Sequence, residues 1–188
     1  MEKQEILIVE YKSLRDEIKT NSQMTGQVFT FAITVSAALL GYGLDKGYWG
    51  IFLSPFVVLI PSLYFISSQL ESTTRIAAYI QNYIESKIDE LNWETDFLTL
   101  RKNKLLPSKR KYTLSIAGLY GGIGFVSILL SWLFLRCYSV KNVAIISVVS
   151  IIIIIFMANG ILTLRSAFKT DFCIKYDESW KKLIAKKK

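Results

Sequence analysis

Four stretches of the chain contain no Asp, Glu, Lys or Arg: residues 20–44, 47–70, 112–135 and 142–164, each 23 to 25 residues long. A helix needs about 20 apolar residues to cross a bilayer. The pattern predicts four transmembrane helices. The alternative, four buried helices of a soluble core, fits poorly, because a soluble chain of this size rarely holds four uncharged runs of such length. Outside the runs the pattern turns amphipathic. Leu7, Tyr11, Leu14 and Ile18 recur at steps of 4, 3 and 4 and predict an N-terminal helix. It is expected to run into the first span, with a bend near Thr20–Ser22. Neither Gly nor Pro occurs from Ser62 to Leu106, and Ile76, Ile80, Ile84, Ile88 and Leu91 step by 4, 4, 4 and 3, with Tyr83 on the same face. The second span is therefore expected to continue as a rigid amphipathic helix from Glu71 to Leu91, about 30 Å at 1.5 Å per residue. A turn at "NWETD" follows, with Thr95 or Asp96 as cap of a short helix that reaches Leu106 before Pro107.

Beyond Arg165, the residues Phe168, Phe172, Tyr176, Trp180 and Leu183 again step by 4, 4, 4 and 3. This tail either lies on the membrane surface or packs against the other two stripes, and packing is the expectation. The chain thus divides into an N-terminal helix (1–22), a first pair of spans (23–70), a polar arm (71–112), a second pair (113–165) and a basic C-terminal helix (166–188). The fold class is an all-α membrane protein with a bundle of three amphipathic elements on one side.

Composition agrees once read in blocks. The chain is 52% hydrophobic yet carries 23 Lys and Arg and 15 Asp and Glu, a net charge of +8. Of the 23 basic residues, only Lys46, Arg136 and Lys141 fall in the two short loops between paired spans. By the positive-inside bias the other 20 are cytoplasmic, with both termini inside. The start, "MEKQEILIVEYKSLRDEIK", lacks the features of a signal peptide, so no removable segment is expected. The basic surface meets anionic lipid or an anionic ligand such as a nucleotide or oligonucleotide. The densest candidates are Arg101, Lys102, Lys104, Lys109, Arg110 and Lys111.

Polar residues inside the spans are few. Gln23, Gln27, Thr30 and Thr34 share one face of the first span. That face must meet protein or water. It is either a helix seam, worth roughly 0.6 kcal/mol per hydrogen bond, or the lining of a pore in an oligomer. Asn159 in the fourth span carries the same expectation. Pro61 should kink the second span; Ala117, Gly118, Gly121 and Gly122 form overlapping small-xxx-small pairs suited to close helix packing within or between subunits. Ser127 and Ser131 continue a face begun at Gly124.

Catalytic chemistry is not expected. There is no histidine, no metal-spaced Cys cluster, no GxSxG and no phosphate loop. Cys137 and Cys173 fall on opposite membrane faces and cannot pair with each other. The carboxylates Glu85, Asp89, Glu90, Glu94 and Asp96 are expected on a solvated helix face. No enzyme activity, cofactor or metal is therefore expected. The uncharged spans also disfavour a proton-coupled exchanger, which needs a titratable group in the membrane, but not a channel lined by Gln, Thr, Ser or Asn.

Two stretches carry a resemblance. "EYKSLRDEI" (Glu10, Tyr11, Leu14, Arg15, Glu17, Ile18) and "RIAAYIQNYIE…NWE" (Arg75, Ile76, Tyr79, Ile80, Ile84, Glu85, Trp93, Glu94) resemble a widespread family of small bacterial integral membrane proteins, over about residues 10–94. In layout the whole chain is similar to four-span membrane effectors encoded beside nucleotidyltransferases in bacterial anti-phage systems, such as the Hailong-type channel component. That resemblance implies a homo-oligomer that permeabilises the inner membrane, a nucleotidyltransferase partner and control by its product; no ligand-binding residue is carried over. The expectation is an oligomeric pore or ion channel in anti-phage defence, with a non-conducting scaffold that docks a soluble protein as the alternative.

Overall fold

The computed structural model describes residues 2–88, 91–102, 109–135, 140–167, 176, 178–180 and 182–183. Every regular element among them is helical. The α-helices are α1 (Glu2–Lys46), α2 (Phe56–Tyr79), α3 (Trp93–Lys102), α4 (Lys109–Leu133) and α5 (Val140–Ala167). A 3-10 turn, Trp49–Leu53, lies between α1 and α2, and α2 passes into a π-helical segment, Ile80–Ile84, and a 3-10 turn, Glu85–Lys87. Four helical stretches are long and apolar enough to cross a membrane: Gln4–Lys46, Trp49–Lys87, Leu114–Leu133 and Val143–Arg165. The protein is an all-helical, multi-pass membrane protein.

The residues fall into two compact units. One, the apolar unit, comprises Gly26–Ser67 and Tyr112–Arg165; the other, the polar unit, comprises Met1–Thr25, Ser68–Lys111 and Ser166–Lys188. Both α1 and α2 contribute to each.

In the apolar unit, helical period decides what is buried. In α5 the buried positions are Ile146, Ser150, Ile153, Met157, Gly160 and Leu164, alternating steps of 4 and 3. In α4 they are Ile116, Tyr120, Gly124, Ser127 and Ser131. Gly124 allows a close approach there: a Cβ would stand 3.2 Å from the Phe56 ring, which would have to shift by a few tenths of an ångström, and 3.6 Å from Met157. The face of Gly124, Ser127 and Ser131 read from sequence therefore packs inward. Ser131 donates to the Trp49 carbonyl at 3.1 Å, and the Ser62 and Tyr120 hydroxyls are 3.1 Å apart. Phe29 meets Tyr120 with ring centroids 5.9 Å apart. The α1–α2 turn depends on Gly47, whose φ of 63° is the left-handed conformation that glycine adopts without strain. Its N–H closes onto the Gly43 carbonyl at 2.8 Å, and Gly43 leaves room for the buried Phe52 ring.

In the polar unit the predicted stripes meet. Leu7, Ile80, Ile84 and Ile88 form a buried cluster, joined by Tyr11, Leu14, Ile18, Ile76, Tyr79, Tyr83 and Leu91. The tail packs as expected where it is described. Tyr176 donates to Glu71 at 2.6 Å, and the Trp180 ring lies 4.9 Å from Tyr79. Phe168, Phe172 and Cys173 lie outside the described residues, as do Cys137, Asp89 and Glu90.

α1 runs through Thr20–Ser22 as one helix. Three local readings change. The arm does not stay α-helical to Leu91. It leaves α geometry after Tyr79 and ends at Lys87, with Ile88 extended at φ −131° and ψ 97°. The cause lies in the spacing. Each step of 4 on an α-helix drifts by about 40°, so Ile76 to Ile88 would rotate away from Leu7. A wider π turn lets Ile80, Ile84 and Ile88 all face the cluster. Neither Thr95 nor Asp96 caps α3 by its side chain; α3 starts at Trp93 and takes its cap from Glu85. Finally, Glu85 and Glu94 are not on a solvated face: they are 5% and 7% exposed.

Candidate functional site

The polar line of α1 is the feature that its own chain leaves unexplained. Thr25, Ala32 and Ser36 are the buried positions of this part of α1. At about 100° per residue, their mean direction is close to opposite that of Gln23, Gln27, Thr30 and Thr34. All four of the latter are exposed, as are Ala37 and Gly41, which continue the same face at steps of 3 and 4. Ala37 and Gly41 fit the same spacing in the sequence, but neither side chain carries a polar group to mark it. The contrast with α5 is direct: its exposed face is Ile151, Ile152, Ile154, Ile155 and Phe156. α5 presents an unbroken face of bulky hydrocarbon; α1 exposes Met24 and Phe31 too, but on the side next to its line of amides, hydroxyls and small residues.

The small residues of α4 behave likewise. Gly118 and Gly122 lie on the side opposite Tyr120, and a Cβ at Gly118, Gly121 or Gly122 would meet nothing within 4 Å. Among the described residues these three glycines have no neighbour at a Cβ position, and Gly124 alone of the α4 glycines does. Asn159 is exposed on α5, and its carbonyl accepts from Thr163 at 3.2 Å. Pro61 sits inside α2 and is exposed. The helix continues through it, although proline has no N–H for the Val57 carbonyl. Among the described residues, the buried hydroxyls of Ser36 and Ser150 have no hydrogen-bond partner.

The polar unit contains a second constellation, built from the residues that carried the family resemblance. Arg15 donates to Glu94 at 2.7 Å, and its guanidinium stands 5.6 Å from the Trp93 ring centre. Glu85 accepts from the N–H of Glu94 at 2.7 Å, the N–H of Thr95 at 3.0 Å and the Thr95 hydroxyl at 2.7 Å. The carboxylate thus caps α3 from a different segment, satisfying amides that a helix start leaves open. Tyr79 donates to Glu10 at 2.7 Å. Burial, then the carboxylate of Glu10, pushes the Tyr79 phenol up from its ordinary value. Burial and Glu71 do the same to Tyr176. Lys87 stands 3.4 Å from the Tyr83 ring centre.

Of the basic cluster, Arg101 and Lys102 end α3, and Lys109, Arg110 and Lys111 begin α4. Their side chains, and all of Lys104, lie outside the described residues. Among the described residues no group of three His, Cys, Asp or Glu could hold a metal ion.

Comparison with family models, with curated proteins and with solved structures returns no match.

Proposed function

We propose that the chain is one subunit of an oligomeric pore in the bacterial inner membrane, with α1 bordering the water-filled path. The observation that carries this reading is the exposed face of α1. A side-chain amide moved into hydrocarbon without a hydrogen bond loses roughly 4–8 kcal/mol on the cyclohexane scale. Threonine can return its hydroxyl to its own helix, but Gln27, inside the apolar unit, cannot hide its amide so cheaply. Lipid is therefore a poor neighbour for this face, and a second copy or water is a good one. The open glycines Gly118, Gly121 and Gly122 supply a surface on which another helix can approach closely. With 20 of 23 basic residues outside the short loops, the polar unit is placed in the cytoplasm by the positive-inside bias.

The layout shared with nucleotidyltransferase-linked effectors supplies the biological setting: permeabilisation of the membrane during phage infection, under the control of an anionic nucleotide or oligonucleotide. The basic run from Arg101 to Lys111 is where such a ligand, or anionic lipid, would bind. A second reading, a scaffold that docks a soluble partner, draws on the exposed Trp93 and Leu100 of α3.

Ion flux from liposomes separates the two. Purified protein should pass ions, and Gln27→Leu with Thr30→Leu should abolish the flux while leaving the oligomer intact. Absence of flux under every condition, or normal flux in the double variant, would reject the pore.

A further inference from the structure

α3 is attached to its unit in an unusual way. Among the described residues, the apolar cluster draws on α1 and on the segment from Ile76 to Leu91, and no α3 side chain belongs to it. Trp93 and Leu100 are 59% and 42% exposed. The polar contacts that fix α3 among the described residues run from Arg15 to Glu94, and from Glu85 to the first amides of the helix and to the Thr95 hydroxyl. Two carboxylates, each more than nine-tenths buried, are thereby committed to one docking contact. An apolar contact of the same size would hold α3 as well or better, because buried ion pairs gain little over hydrophobic packing. What the polar arrangement adds is reversibility: once water or a competing charge enters, both carboxylates and the guanidinium are readily solvated. α-Helical geometry ends before α3, passing from π to 3-10 and then to the extended Ile88, so no continuous helix ties α3 rigidly to α2.

We infer that α3 is a releasable latch, held to α1 by Arg15–Glu94 and to the end of the arm by the Glu85 cap, and that its docked form is the closed state. The gating half of this rests on the pore reading above. Arg15 and the polar line from Gln23 to Thr34 belong to one unbroken helix, so a change in what Arg15 holds acts on the helix that borders the path. Docked is closed because a pore that opened without a trigger would dissipate the gradients of the cell that makes it. The exposed Trp93 and the basic end of α3 give a trigger something to grip.

The test uses the full chain in lipid, with two readouts. Arg15→Glu sets three carboxylates together and should release α3; its amides from Glu94 to Leu100 should exchange hydrogen about tenfold faster or more. Basal ion flux should rise by at least a similar factor. The swap Arg15→Glu with Glu94→Arg should restore both to near wild-type, which excludes general misfolding. Should Arg15→Glu fail to assemble, Glu85→Gln must show the same two changes to a lesser degree. Unchanged protection of α3, an unrescued swap, or released α3 with wild-type flux would each overturn the latch. Failure of the pore reading is distinct: it appears as absence of flux in every variant and condition, with α3 released on schedule.

Discussion

Removing the Glu85 carboxylate should loosen α3 by about 2 kcal/mol. The side chain accepts three hydrogen bonds, at 2.7, 3.0 and 2.7 Å, and is 5% exposed. Loss of a helix N-cap costs about 1 kcal/mol. Charge-assisted bonds to partners left without an acceptor raise this by about 1.5–3 kcal/mol. Relief from burying a carboxylate offsets part of the sum, and about 2 kcal/mol remains. Glu85→Gln should cost roughly half as much: its carbonyl can accept one amide and its NH2 can donate to the Thr95 hydroxyl, so only one N–H is stranded. Thr95→Ala should cost less again. The assay is hydrogen exchange of the α3 amides in nanodiscs, where 2 kcal/mol corresponds to about 30-fold faster exchange. Exchange in Glu85→Ala within about threefold of wild type would refute the reasoning, because the cap would then be neither scarce nor strong.

Other predictions follow from the packing. Gly124→Val should destabilise the apolar unit, since its Cβ alone would come 3.2 Å from the Phe56 ring; Gly118→Val with Gly122→Val should leave the single chain's fold unchanged and lower the oligomer's mass in native mass spectrometry. Tyr79→Phe should cost about 1 kcal/mol through the lost bond to Glu10, read as faster exchange of amides around Tyr79. Because that phenol is raised above its ordinary 10.0, its contribution should be complete below pH 10 and be lost progressively as pH rises above it. A decline that begins well below pH 10 and persists in Tyr79→Phe would assign the loss to another group.

The spans are legible because charge avoidance is a local property: runs such as 47–70 and 142–164 declare themselves without knowledge of neighbours. The packing stripes are legible for a related reason, since Leu7, Ile80, Ile84 and Trp180 each belong to a run of apolar residues at steps of 3 and 4 that marks the inward face of its element. What stays hidden is long-range polar pairing. Arg15 and Glu94 are 79 positions apart, and nothing local separates Glu94 from the exposed Asp96 two residues on. The burial of Glu85 is hidden for the same reason, because its partner amides exist only once α3 starts beside it. The π turn escapes because a run of equal steps of 4 reads as α-helical, although such a run suits α geometry poorly over three turns. On α4, spacing marks Gly118, Gly122 and Gly124 alike as packing residues. Only the fold distinguishes the inward Gly124 from the two that the chain leaves open.

The central claim, that α1 borders water along one face, is tested most directly by single cysteines placed along it in a chain carrying Cys137→Ser and Cys173→Ser. A charged, membrane-impermeant thiol reagent should modify positions 23, 27, 30, 34 and 37 in the conducting oligomer and spare 25, 32 and 36. Modification with that helical period is the result the account predicts. Protection at every position from 27 to 34, in a correctly assembled and conducting oligomer, would contradict it and leave the polar face as a dry seam between helices.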